Sequence, residues 1–175
     1  MNGKLIFVAM LAGVLCGAQE FKLDLDAPTP WKSISNYKDR LKFETREING
    51  KKAYVATFVK RDKGKDTAFT LVAPDYAVAG KQQISVTIRF QSWKGMKIMF
   101  SVQRFVSAIR WFDKAGKEIS PMTKIVLPVG TGEIQTFSKS FAVPANAKTA
   151  NLQIGFDLPD ISEKNMFAVF DVQIR

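Results

Sequence analysis

Gln83-Ile84-Ser85-Val86-Thr87-Ile88-Arg89-Phe90-Gln91 alternates apolar and polar residues without a break. A period of two puts Ile84, Val86, Ile88 and Phe90 on one face and Ser85, Thr87, Arg89 and Gln91 on the other, the pattern of a half-buried strand. The same rhythm recurs toward the C-terminus. Leu152, Ile154 and Phe156 alternate with Asn151, Gln153 and Asp157, and Phe170, Val172 and Ile174 with Asp171 and Gln173. Residues 102–112 form a longer β-rich run, with Phe105, Ile109 and Trp111 on one face and Arg104 and Arg110 on the other. Leu41 and Phe43 open a further strand, and residues 53–59 another.

Turn chemistry separates these runs. Asn49-Gly50 is the dipeptide that suits a hairpin needing positive φ. Lys63-Gly64-Lys65 and Asp113-Lys114-Ala115-Gly116 mark two more reversals, and Pro74, Pro121, Pro128, Pro144 and Pro159 punctuate the rest. No amphipathic helix of three turns is legible; residues 33–40 are expected to hold at most a short helical turn. Many short strands about ten residues apart predict an all-β, antiparallel two-sheet sandwich. No repeat, linker or low-complexity tract divides it, so one domain is expected.

Residues 1–18 read as an export signal: Lys4 in a short n-region, an apolar run over residues 5–15, then Cys16-Gly17-Ala18 with small residues before the cut. The run is shorter than the roughly 20 apolar residues of a membrane span, and no later segment is long enough either. Cys16 suggests an acylated lipoprotein as the alternative, but Leu15 precedes it where a small residue is usual. Secretion, to a periplasm or beyond, is therefore expected, with residues 19–175 as the mature domain. The chain has 26 Lys+Arg against 16 Asp+Glu, a net charge of +10 that falls to +9 when Lys4 is removed. There is no His, which excludes imidazole chemistry, and the one Cys lies in the signal, which excludes a disulfide or thiolate site in the mature chain.

Several segments in order carry a resemblance. Phe69-Thr70-Leu71-Val72 with Tyr76, Gly80 and the strand Gln83–Phe90 comes first. Trp111-Phe112-Asp113-Lys114-Ala115-Gly116 forms an aromatic–aromatic–Asp–x–x–Gly hairpin. Phe137 to Phe141 leads into Ala142-Val143-Pro144, an edge strand ending in a Val-Pro turn. Residues 150–156 and 167–174 supply two final strands. Together they resemble the carbohydrate-binding modules with a galactose-binding-like jelly roll, over about residues 19–175 and most clearly from Phe69 onward. The resemblance implies a jelly-roll sandwich whose ligand site lies on a concave sheet face or in the loops at one end. It also implies one structural calcium between an acidic residue near the N-terminal strand, Asp24 or Asp26, and Asp171 in the last strand. Lys22 departs from that pattern, since it stands where an acidic residue commonly follows the aromatic.

The residues themselves nominate two kinds of contact. Sugars stack their apolar faces on aromatic rings while polar side chains hold the hydroxyls. The 14 Phe mostly fall at alternating positions and belong to the core, as do Trp111, Tyr54 and Tyr76. Trp93, in a polar glycine-bearing loop flanked by Lys94, is a candidate stacking residue, and so are Trp31 and Tyr37 after Pro28 and Pro30. Arg89, Arg104, Arg110 and Gln153, with Gln91 and Asn151, point away from the predicted core. If their strands share a sheet they line one polar face able to hold hydroxyls, carboxylates or sulfates.

The positive charge draws polyanions through a long-range, salt-screened field. Acidic polysaccharide or an anionic envelope is the expected source. Nucleic acid is not expected, because no groove-reading element is present. Lysines on hairpins also protect sheet edges, which accounts for part of the charge. Asp157, Asp160 and Glu163 share one loop region, yet the elbow, phosphate-loop and dinucleotide motifs of common enzymes are all missing. The expectation is an exported, non-catalytic glycan-binding sandwich. The alternative is an envelope structural or protein-interaction sandwich without a sugar site.

Overall fold

The alternation decides the layers. The computed structural model describes residues 21–25, 32–35, 41–58, 67–92, 107–158 and 167–175. Within them the strands run β1 (Phe21–Lys22), β2 (Lys32–Ser35), β3 (Leu41–Ile48), β4 (Lys51–Phe58), β5 (Thr67–Val72), β6 (Tyr76–Ala77), β7 (Gln83–Gln91), β8 (Ala108–Phe112), β9 (Glu118–Lys124), β10 (Ile134–Ala142), β11 (Thr149–Leu158) and β12 (Phe167–Ile174). No helix occurs among the described residues. One sheet has the order β10-β7-β12-β4-β3, with β1 also on β12; the other has the order β2-β5-β11-β8-β9, with β6 on β11. Every pairing is antiparallel.

The inward residues of β7, Ile84, Val86, Ile88 and Phe90, are buried against Leu71, Ile109, Trp111, Leu152 and Ile154 of the opposite sheet. Each such side chain contributes about 1.5–3 kcal/mol through removal of apolar surface from water. Trp111 is fully buried without an orphaned donor, because its Nε1–H donates to Thr123 Oγ1 at 2.8 Å. Buried Ser107 similarly uses its hydroxyl twice, toward the Gly155 carbonyl at 3.2 Å and from the Gly155 N–H at 3.1 Å.

The turns form as their residues dictate. Asn49 and Gly50 have φ of 51° and 72°, which closes the in-register β3–β4 hairpin. In the β8–β9 turn the Asp113 carboxylate accepts N–H groups of Ala115 and Lys117 at 2.8 and 3.0 Å. Pro121 is tolerated because β9 is an edge strand and its pairing with β8 is irregular between Ile109 and Trp111. β10 is the opposite sheet's edge and ends before Val143-Pro144, as the sequence suggests.

Two expectations are corrected. The segment expected to hold a helical turn begins as a strand: Lys32–Ser35 is β2, drawn into extended form by its ladder with β5. The rest of that segment lies outside the described residues. Of the long run over residues 102–112, Ala108–Phe112 is β8, and residues 102–106 lie outside the described residues. The supposed single polar face is also two faces. Arg89 and Gln91 belong to the β7 sheet, whereas Arg110, Asn151 and Gln153 belong to the β8–β11 sheet. Side chains that point away from a shared core in different layers lie on opposite sides of the sandwich.

Candidate ligand-binding site, a notch in the first sheet

β12 keeps β7 along one edge but changes partner along the other. Phe167–Val169 pair with β4, whereas Gln173 and Ile174 pair with β1, which the Leu23 N–H to Val172 carbonyl bond of 2.9 Å prolongs. A bulge falls at the changeover: Val169 lies opposite Phe90 and Asp171 opposite Arg89, so Phe170 is an extra residue. The changeover leaves a notch of about 550 Å³ lined by Lys22, Asp24, Lys52, Arg89, Phe170 and Asp171. Thr45 Oγ1 donates to the Leu25 carbonyl at 3.4 Å and ties the far wall to β3.

The bulge also divides the outer face of this sheet. On one side lies a polar lattice fixed by register. Lys22, Gln173, Thr87 and Ser138 fall in one row across four strands, and Asp171, Arg89 and Thr136 in the next. Neighbours within a row are about 4.8 Å apart, the strand spacing. Hydroxyls knit this lattice together: Thr87 with Ser138 at 3.0 Å and Ser85 with Ser140 at 2.8 Å. On the other side Ala53, Val55, Ala168 and Phe170 form an apolar cluster separate from the main core, with Ile48 and Ile134 packed on it. The notch therefore sits where Phe170, at the border of that cluster, and Leu23 and Leu25 meet charged donors and acceptors.

Charge in the notch is mixed. The Asp171 carboxylate accepts the Gln173 side-chain N–H at 2.8 Å. Asp24 and Lys52 are each engaged already. Arg89 and Lys22 make no ion pair among the described residues, although Arg89 lies directly across the ladder from Asp171.

Of the residues singled out from sequence, Arg89, Asp24 and Asp171 meet in this notch. Arg110 does not. It forms a fork with Glu118, Nε to Oε1 at 2.8 Å and Nη2 to Oε2, in the other sheet. Gln153 is 6% exposed in β11, where β5 and β8 flank it, and so does not belong to an open polar face. Trp93, Trp31, Tyr37, Arg104 and Asp26 lie outside the described residues, as do residues 1–18. Sequence reasoning placed Phe170 inward with Val172. The four-residue apolar run Phe167-Ala168-Val169-Phe170 before Asp171 is the signal that it was bulged and buried on both faces. Lys22, Lys52 and Gln173 were not nominated, because strand neighbours so distant in sequence carry no local pattern.

Two carboxylates and three cations line the notch, and no group of three His, Cys, Asp or Glu able to hold a metal occurs among the described residues. A calcium site collects several anionic and carbonyl oxygens, and cationic neighbours oppose it. Asp26, the third residue expected at such a site, lies outside the described residues. A second hollow of about 260 Å³ lies where the β8–β9 and β10–β11 turns meet, lined by Asp113, Lys114, Asn146 and Lys148 with no aromatic residue.

No family model matches the sequence, and no curated protein matches it. Solved structures do resemble it. The enzymatically active domain of bacteriophage CBA120 tailspike protein 4 is 15% identical with a TM-score of 0.55, over 86% of this chain and 19% of that one. The likeness is one of fold. The CBM22-1–GH10 modules of Clostridium thermocellum xylanase 10B, solved with xylohexaose, are 16% identical with a TM-score of 0.51, over 83% of this chain and 26% of that one. The BiXyn10A CBM1 is 8% identical with a TM-score of 0.51, over 89% of this chain and 95% of that one. The chain thus spans a minor part of the first two and nearly all of the third, and what it shares with them is the antiparallel two-sheet sandwich expected from its sequence.

Proposed function

We propose that the protein is an exported, non-catalytic carbohydrate-binding sandwich whose glycan site is the β1–β12–β7 notch. The observation that carries this reading is the meeting of apolar Leu23, Leu25 and Phe170 with Arg89 and Asp171 at one opening, beside which Gln173 donates to Asp171. A pyranose has an apolar face and a rim of hydroxyls, and this surface matches both halves. The fold supports the reading, since neighbours of similar architecture include the CBM22-1–GH10 modules solved with xylohexaose.

Affinity electrophoresis through gels containing neutral or acidic polysaccharides tests this proposal. Retardation by at least one polymer, reduced in Gln173→Ala with an unchanged melting temperature, is the expected result. Migration unaffected by every polymer refutes it. A second reading, an envelope protein-interaction sandwich, draws on Val126 and Val129, which are 62% and 51% exposed beside exposed Pro128 in the β9–β10 connection. It takes precedence if no glycan binds.

A further inference from the structure

We infer that the notch selects glycans carrying an anionic group, and that Arg89 receives it; this rests on the proposed glycan site. Three cations line the opening against two carboxylates. Asp24 is already engaged and Asp171 accepts from Gln173, so both carboxylates have partners within the protein. The cations are not balanced in the same way. Arg89 and Lys22 make no ion pair among the described residues and stand in adjacent rows on the same face. Arg89 is half-buried between Asp171 on β12 and Thr136 on β10. Withdrawing a guanidinium this far from water is compensated best by a ligand oxyanion, which it can meet through two parallel N–H bonds.

The Thr136 hydroxyl and the Gln173 amide lie within one strand of Arg89 and suit the ring hydroxyls beside such a group. The chemistry is shared by the carboxylate of a uronic acid and by a sulfate ester. It differs from attraction by the whole +10 chain, which any lysine would serve equally.

The experiment measures retardation of the purified protein by polygalacturonate, by the same polymer after carboxyl reduction, and by dextran sulfate beside dextran. It compares wild type, Arg89→Gln and Lys124→Gln. Lys124 is exposed on the edge strand of the other sheet, so its loss changes net charge equally without touching the notch. Arg89→Gln is expected to weaken binding to the acidic polymer about tenfold and Lys124→Gln by less than about twofold. Preference for polygalacturonate identifies carboxylate as the source, and preference for dextran sulfate identifies sulfate; either supports the inference. Equal losses in the two variants overturn it in favour of summed charge. Equal retention by neutral and acidic polymers overturns it while leaving the glycan site standing. No retention by any of the four removes the glycan site and the inference together.

Discussion

Replacing Arg110 separates structure from binding most cleanly. Its guanidinium joins β8 to β9 through two bonds to Glu118, with the two side chains 37% and 32% exposed. A bidentate pair at that exposure is screened by solvent, so its coupling is about 0.5–1 kcal/mol. Arg110→Gln should therefore lower stability by about that amount, moving the urea midpoint by about 0.3 M at an ordinary denaturant slope. In a chain of this length the melting temperature should fall by about 1–4 °C. Urea unfolding of Arg110→Gln, Glu118→Gln and the double variant supplies the coupling, because the cycle cancels what each side chain does alone. Glycan retardation of Arg110→Gln should match wild type, since Arg110 and the notch are in different sheets. The reasoning is refuted if the cycle gives no coupling, or if Arg110→Gln abolishes retardation while the fold persists.

Other consequences are independent of the ligand. Gly50→Ala should destabilise by about 1 kcal/mol through its positive φ alone, since a Cβ there meets nothing within 4 Å; thermal melting measures it. Burial raises the Tyr76 hydroxyl well above its usual value, and that hydroxyl has no hydrogen-bond partner among the described residues. The unfolded chain then loses this proton first as pH rises past about 10, so Tyr76 contributes a stability that falls above that pH. Tyr76→Phe should be neutral or slightly stabilising at pH 7 and should lose less stability than wild type between pH 9 and 11, roughly one decade either side of the ordinary tyrosine value. Removing divalent ions with a chelator should leave the melting temperature unchanged, because the notch sets cations around its two carboxylates; a fall of several degrees would restore a calcium site there.

The sandwich was legible because its signals are local. Alternation in Gln83–Gln91 reports a strand with one wet face whichever partner it finds, and Asn49-Gly50 closes its hairpin through two residues' own φ preferences. The site was only partly legible. Arg89, Asp24 and Asp171 could be named, but their meeting depends on β12 exchanging β4 for β1, a pairing between residues near opposite ends of the chain. Phe170 was misassigned because a bulge shifts the period-two count by one, so the alternation that holds for Val172 and Ile174 fails when carried back across it. Arg110 and Gln153 were grouped with Arg89 because outward position is all that alternation reveals; it says nothing about which layer is involved.

The most direct test follows the Arg Nε–H and Gln side-chain amide signals by nuclear magnetic resonance while hexagalacturonate is added. The account predicts that Arg89 and Gln173 shift together and saturate, while Arg110 stays fixed in its fork with Glu118. Saturable shifts confined to Arg110 and Asn151, with Arg89 and Gln173 unmoved, would place binding on the opposite sheet and contradict it.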